Sequence, residues 1–166
     1  MADVSNLNVG SGATIATLHI TGDATFDKNV SVAATLTTLD LAVNGHIITE
    51  GNTPTTTVLV AAGPNATVSI TGNDISGTIT ITTGDQAVAA TKTAQATSGP
   101  TAGELAKVIF DKPYGKIPHI LLAPSDQTSA GLAPYPGSRA IDSFTLGLKT
   151  IPQPNTIYSF EYFITQ

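Results

Sequence analysis

The stretch Thr156-Ile157-Tyr158-Ser159-Phe160-Glu161-Tyr162-Phe163-Ile164 has a large apolar or aromatic residue at every second position from Tyr158 to Ile164. Successive side chains of a β-strand point to opposite faces, so the even-numbered positions from Tyr158 to Ile164 share one face. Three of these four residues are aromatic, and aromatic rings bury large areas and anchor cores. The stretch therefore predicts a strand with one face in the core of a β-sheet protein.

Shorter stretches with strand patterns precede this one, and loops rich in Pro and Gly separate them. They are residues 57–60, 66–70, 78–82, 105–110, 117–122 and 144–148. Within 78–82 Thr alternates with Ile, which is typical of a strand with one buried face. Many short strands between Gly/Pro turns favour a β-sandwich. We predict an all-β protein, since no window combines helical periodicity with helix formers.

The composition excludes several classes of protein. Charged residues make up 11% of the 166 residues, whereas an ordinary soluble domain has roughly 25%. Seven Lys and Arg against twelve Asp and Glu argue against a nucleic-acid groove. Cys is absent, so neither disulfides nor thiolate metal sites are available. The segment 1–10 lacks the features of a signal peptide, and no window has the roughly 18 apolar residues of a membrane span, so we expect no membrane insertion.

The N-terminal segment contains an imperfect repeat of apolar residues with a period near eleven. Spacings of two within each set indicate short strands, and Gly, Asn and Asp between the sets indicate turns. Such strands cannot bury an apolar face alone, but stacked or intertwined copies can. We predict an oligomer core of Val4, Leu7, Val9, Ile15, Leu18, Ile20, Phe26, Val30, Val32, Leu36, Leu39 and Leu41.

The aromatic residues also separate an N-terminal from a C-terminal part of the chain, because Phe26 is the only aromatic residue before Phe110. We predict a repeat shaft over residues 1–52, favouring an intertwined homotrimer over a β-solenoid-like stack or a β-meander. We predict a jelly-roll-like β-sandwich head over residues 53–166. An Ala/Thr-rich loop of unassigned role occupies 85–99.

Several motifs in the predicted head resemble the C-terminal head modules of phage tail fibres and related bacterial surface fibres. They are the run TGNDISGTITITTG at 71–84, Pro100–Gly103, Val108–Phe110, Tyr114 with Pro118–Leu122, and Tyr158–Tyr162. The segment from Ala24 to Gly45 is similar to the shaft repeats that precede such heads. The resemblance implies a trimeric fibre protein with a β-sandwich head. The stretch 85–98 departs from it, being longer than the expected turn.

The sequence predicts no catalytic residues, no cofactor and no metal ligands. His19, His46 and His119 lack a second His at metal-ligand spacing. We interpret them as surface or turn histidines. The alternative is a metal site formed where three copies of one His, one from each chain of a trimer, meet on the trimer axis. The repeated Thr-x-Thr pattern indicates a further alternative, a ladder of Thr side chains that binds ordered water. This alternative requires the Thr side chains to form a flat, exposed surface.

The predicted binding surface is the long Pro/Gly-rich stretch Ser125–Arg139. Loops often carry recognition, and Tyr and Arg are favoured at interface hot spots. The candidate receptor-binding residues are Asp126, Tyr135 and Arg139, the last being the only Arg in the chain. The alternative is a proline-stiffened connection whose Tyr packs onto the sandwich.

The predicted function is that of a non-enzymatic structural fibre or spike subunit that attaches to a host or cell surface. Its partners would be further copies of itself and a cell-surface glycan or protein. Its location would be a virion tail or another extracellular fibre. The alternatives are an open-ended extracellular filament, built by strand complementation between neighbours, and a glycan-cleaving enzyme.

Overall fold

The computed structural model describes residue 17 and residues 19–86 and 99–166. The chain divides into two units, Met1–Asn44 and Gly45–Gln166. This division comes earlier than the predicted boundary after residue 52, because the residues that follow Asn44 are tied to the second unit. Thr49 accepts a hydrogen bond of 2.7 Å at its carbonyl from Nδ2 of Asn73, and Nδ2 of Asn52 donates to Asp111 at 3.0 Å.

The described part of the first unit contains neither helix nor strand over residues 19–44. Five members of the predicted oligomer core lie outside the described residues: Val4, Leu7, Val9, Ile15 and Leu18. The other seven are exposed in the single chain: Ile20, Phe26, Val30, Val32, Leu36, Leu39 and Leu41. The predicted short strands would form between chains, so the shaft stays a prediction.

The described residues of the second unit form eight strands in two antiparallel sheets, with very little helix. The strands are β1 (Thr55–Val58), β2 (Thr67–Gly72), β3 (Ser76–Thr82), β4 (Gly103–Ile109), β5 (His119–Pro124), β6 (Pro134–Arg139), β7 (Ser143–Leu148) and β8 (Ile157–Thr165). A 3-10 turn spans Val60–Ala62, and one short helix, α1, spans Gln127–Ala130. The predicted all-β class is confirmed.

Each sheet has four strands, and the two sheets pack on one core. The first sheet has the order β1-β4-β7-β6 and the second has the order β2-β3-β8-β5. The central strands β3, β4, β7 and β8 supply most of the buried apolar side chains. In β8 the four even-numbered residues from Tyr158 to Ile164 are buried, while Ile157 and Phe163 on the other face are exposed. The face predicted for this strand is confirmed.

Strand β6 was not expected, because residues 134–139 were interpreted as part of a loop. Pro134 and Pro136 lack the N–H that a strand with two neighbours needs. However, β6 lies at the edge of the first sheet and, among the described strands, pairs only with β7. An edge strand has one side without a partner strand, so Pro is tolerated there. The two prolines thus mark an edge, and the loop prediction was wrong for this segment.

No helix in the described part of the chain is long and apolar enough to cross a membrane.

Candidate functional site

A cavity of about 330 Å³ lies against the outer face of the first sheet, and we call it the β7 cavity. Strand β7 is central in this sheet, so its inward side chains enter the core and the alternate ones face the cavity. The cavity is lined by Leu59, Glu104, Lys107, Ser138, Arg139, Ala140, Ser143 and Thr145. Six of the eight lining residues carry a polar or charged side chain.

Strand register brings these side chains together from three strands. Lys107 of β4 lies directly across from Thr145 of β7, and Arg139 of β6 lies across from Phe144. The register of β4 shifts between Glu104 and Ala106, and that of β6 shifts between Pro136 and Arg139. Such bulges redirect side chains and are enriched beside functional sites.

The carboxylate of Glu104 joins the two bulged strands. It accepts hydrogen bonds from the backbone N–H of Ser138 at 2.9 Å and from the Ser138 hydroxyl at 3.1 Å. The backbone donor is the main cause that lowers the pKa of Glu104 below its ordinary value. Partial burial opposes this effect, while the hydroxyls of Ser138 and Thr145 add to it. Glu104 is therefore a carboxylate at neutral pH.

Gly137 permits the close approach of β6 to this carboxylate. A Cβ at this position would overlap the carboxylate of Glu104 and Oγ1 of Thr145. Any larger residue would therefore push the bulge away from the sheet. Sequence reasoning missed Glu104 and Gly137, although the Pro-Gly pair at 136–137 could have indicated an interruption of the strand.

Thr145 forms the floor of the cavity and is 5% exposed. Its Oγ1 is buried and makes no aligned hydrogen bond with the described residues. It lies close enough to Glu104 to contribute weakly to the lowered pKa. This buried hydroxyl therefore lies beside the Glu104 carboxylate and is not a free group of the cavity surface.

We expect the stability of the head to fall below pH 4.5, partly through Glu104. A carboxyl whose pKa is lower in the folded state stabilises the fold above its unfolded pKa, and this contribution is lost as pH falls through the folded value. Glu104→Gln should therefore flatten the acid side of the curve of unfolding free energy against pH. Urea unfolding at pH 3 to 7 measures this, with Glu50→Gln at an exposed position as control. Equal acid sensitivity of wild type and Glu104→Gln would contradict it.

The three predicted receptor-binding residues have different surroundings. Asp126 caps helix α1, accepting hydrogen bonds from the backbone N–H of Ser129 at 2.8 Å and from its hydroxyl at 3.0 Å. Tyr135 covers Gly147, where a Cβ would overlap its ring. Arg139 alone lines the β7 cavity. It lies four residues from Tyr135 along β6, roughly 13 Å for an extended strand.

A second cavity of about 310 Å³ includes Glu50, Asp74, Asp111 and Tyr114. The Asp74 carboxylate accepts backbone N–H groups of Asp111 and Lys112 at 2.8 and 2.9 Å. The hydroxyls of Tyr114 and Tyr162 donate at 2.6 Å to the carbonyls of Asp74 and Asn73. Burial raises the pKa of both tyrosines. Because the Asp74 carboxylate and both tyrosine hydroxyls are engaged within the protein, we interpret this region as a structural junction.

The described residues hold no group of three or more His, Asp or Glu side chains that could bind a metal ion. His19, His46 and His119 are each exposed.

Threonine and serine side chains form a cross-strand array on the outer face of the second sheet. The pairs are Thr67 with Thr82, Ser69 with Thr80, and Thr71 with Thr78. Two hydroxyls of strand β3 already have hydrogen-bond partners on β8. Thr78 donates to Glu161 at 3.0 Å, and the Thr80 hydroxyl lies 3.4 Å from the Ser159 hydroxyl. The β3 row is only half exposed. The water-ordering alternative stays a prediction, with part of its array engaged within the protein.

The backbone of the N-terminal segment bends at regular intervals that the sequence reasoning missed. The bends lie at residues 21–22, 27–28, 33–34, 39 and 44–45, about half the predicted period of eleven. Apolar residues recur every six positions in the same segment, at Ala24, Val30, Leu36, Ala42 and Ile48. A search for intervals of six would have detected this pattern.

No protein-family model matches the chain, and neither the curated proteins nor the solved structures contain a match. The functional conclusion therefore depends on the residues and geometry described above.

Proposed function

We propose that this protein is a subunit of a homotrimeric fibre or spike, with an N-terminal shaft and a jelly-roll-like sandwich head. The supporting observation is the exposure of large apolar side chains in the described shaft segment. They are Ile20, Phe26, Val30, Val32, Leu36, Leu39, Leu41 and Val43, with exposures from 45% to 99%.

Such exposure in a single chain is unfavourable, because each apolar side chain gains about 1.5–3 kcal/mol on full burial. The segment lacks strands and helices of its own, so it has no internal face against which to bury these residues. Further copies of the same chain supply the same regular spacing of bends and apolar residues. Intertwining of three copies would cover them around one axis.

The head then mediates attachment to a host or cell surface, in a virion tail or another extracellular fibre. Its role is non-enzymatic. The charged fraction of only 11% supports a chain that buries much of its surface in contacts with further copies of itself, because the cores of such interfaces are depleted of charged residues. The resemblance of 71–162 to fibre head modules supports the same function.

Native mass spectrometry and negative-stain electron microscopy of the whole chain test this proposal. The expected result is a single species of three times 16.9 kDa, seen as short particles of fixed length. A protein that stays monomeric, at 16.9 kDa, at all concentrations would overturn the fibre proposal.

The alternative, an open-ended filament, is favoured by the edge of the second sheet. In the described part of the chain, β2 has a strand neighbour on one side only, and it carries neither charge nor Pro. Unprotected edges of this kind pair readily with another strand. This alternative predicts polymers of variable length, which Ser69→Pro should shorten in electron micrographs. Fixed-length particles in both proteins would count against it.

A further inference from the structure

We propose that the β7 cavity binds an oxyanion group, carboxylate or phosphate, carried by a saccharide. This inference rests on the proposed attachment function and names the chemistry that the head would recognise. The cavity collects Arg139 and Lys107, two of the seven cations in a chain of net charge −5. A local concentration of positive charge on an acidic protein attracts an anionic ligand.

The two cations suit an oxyanion group. Arg139 is exposed, and its planar guanidinium can hold a carboxylate or phosphate through two parallel hydrogen bonds. Lys107 lies on β4 across from Thr145, and both residues line the cavity. Its ammonium supplies a second positive charge from a different strand. Both cations lie on strands that are paired with β7, so the sheet fixes the positions of their backbones.

The remaining polar groups favour a saccharide over an acidic peptide. The carboxylate of Glu104 can only accept hydrogen bonds, and an acidic peptide would offer it no side-chain donor. Sugar hydroxyls can donate to this carboxylate. The side chains of Ser138 and Ser143 line the same cavity, and their hydroxyls donate to Glu104 at 3.1 Å and to Asp142 at 2.9 Å. Each serine oxygen can still accept a hydrogen bond from a sugar hydroxyl. A saccharide offers several hydroxyls to such a surface.

Isothermal titration calorimetry on the whole chain tests this, with tetragalacturonate and glucose 6-phosphate as charged probes. Maltotetraose is the neutral control, and tetraglutamate is the peptide control. We expect at least one charged saccharide to bind and both controls to bind at least about tenfold more weakly, since hydrogen bonds to charged groups are stronger than those between neutral groups. The two charged probes separate a carboxylate from a phosphate ligand.

Variants locate the binding. Arg139→Ala and Lys107→Ala should each weaken binding about tenfold or more. Lys149→Ala, which removes an exposed cation outside the cavity, should leave the affinity within about twofold. Circular dichroism confirms that each variant is folded. Binding should also weaken as salt is raised.

Three results would overturn the inference. They are no binding of either charged saccharide at millimolar concentration, equal binding of tetraglutamate, and equal loss in Lys149→Ala. These outcomes are independent of the oligomeric state. A trimer that binds neither probe refutes this inference alone, whereas a monomer that binds a charged saccharide refutes only the fibre proposal.

Discussion

Phe160→Ala is expected to lower the free energy of unfolding of the head by about 3–5 kcal/mol. Phe160 is 0% exposed and lies in the middle of β8, a central strand of the second sheet. It pairs with Ile79 on one side and with Pro124 on the other. Alanine would leave a cavity between two sheets whose strands are hydrogen-bonded in place, so the core can collapse only partly.

The same strand offers a matched control in Phe163→Ala. Phe163 is 48% exposed and points to the outer face, so we expect a loss of about 1 kcal/mol or less. Urea denaturation followed by circular dichroism measures both variants. Equal losses would mean that β8 does not separate a core face from an outer face, contrary to the sandwich described here.

The combined change Leu36→Asp and Leu41→Asp is expected to convert the proposed trimer into monomers. These residues are 64% and 69% exposed in the single chain, so the charges cost little there. In an intertwined shaft the same positions would be buried. Burial of unpaired carboxylates costs far more than the apolar contacts they replace. Sedimentation velocity measures the change, and the head should keep its β circular dichroism signal.

The control is Thr35→Asp with Thr37→Asp, which adds the same charge at two exposed polar positions of the same segment. We expect this protein to keep the mass of the wild type. Dissociation of both variants would indicate general charge repulsion. Dissociation of neither would place the contacts between copies outside this segment.

Local pattern was enough to predict β3, β7 and β8, because each has large apolar residues at every second position. The same reasoning failed for β6, since Pro134 and Pro136 argue against a strand unless its place at a sheet edge is known. It also missed the capping role of Asp126, whose side chain accepts a hydrogen bond from the backbone N–H of Ser129 in α1. Capping depends on where a short helix begins, and a four-residue helix has no periodicity to reveal it.

The candidate site was predictable only in part. Arg139 stands out in the sequence as a lone Arg in a Pro/Gly-rich stretch. Its neighbours in space, Glu104, Lys107 and Thr145, are 6 to 35 positions away along the chain. The pairing of β4 and β6 with β7 brings them together.

The amino-acid order by itself determined the all-β class and the buried face of β8, because side chains alternate across any strand whatever its partners. Which strands are neighbours, where the edges lie and which polar groups share a cavity were decided by the tertiary structure. Sheet order depends on packing across the core and on hydrogen bonds between residues distant in sequence. That is why the deciding stretch, 156–164, reveals its own inner face but not the β7 cavity on the opposite sheet.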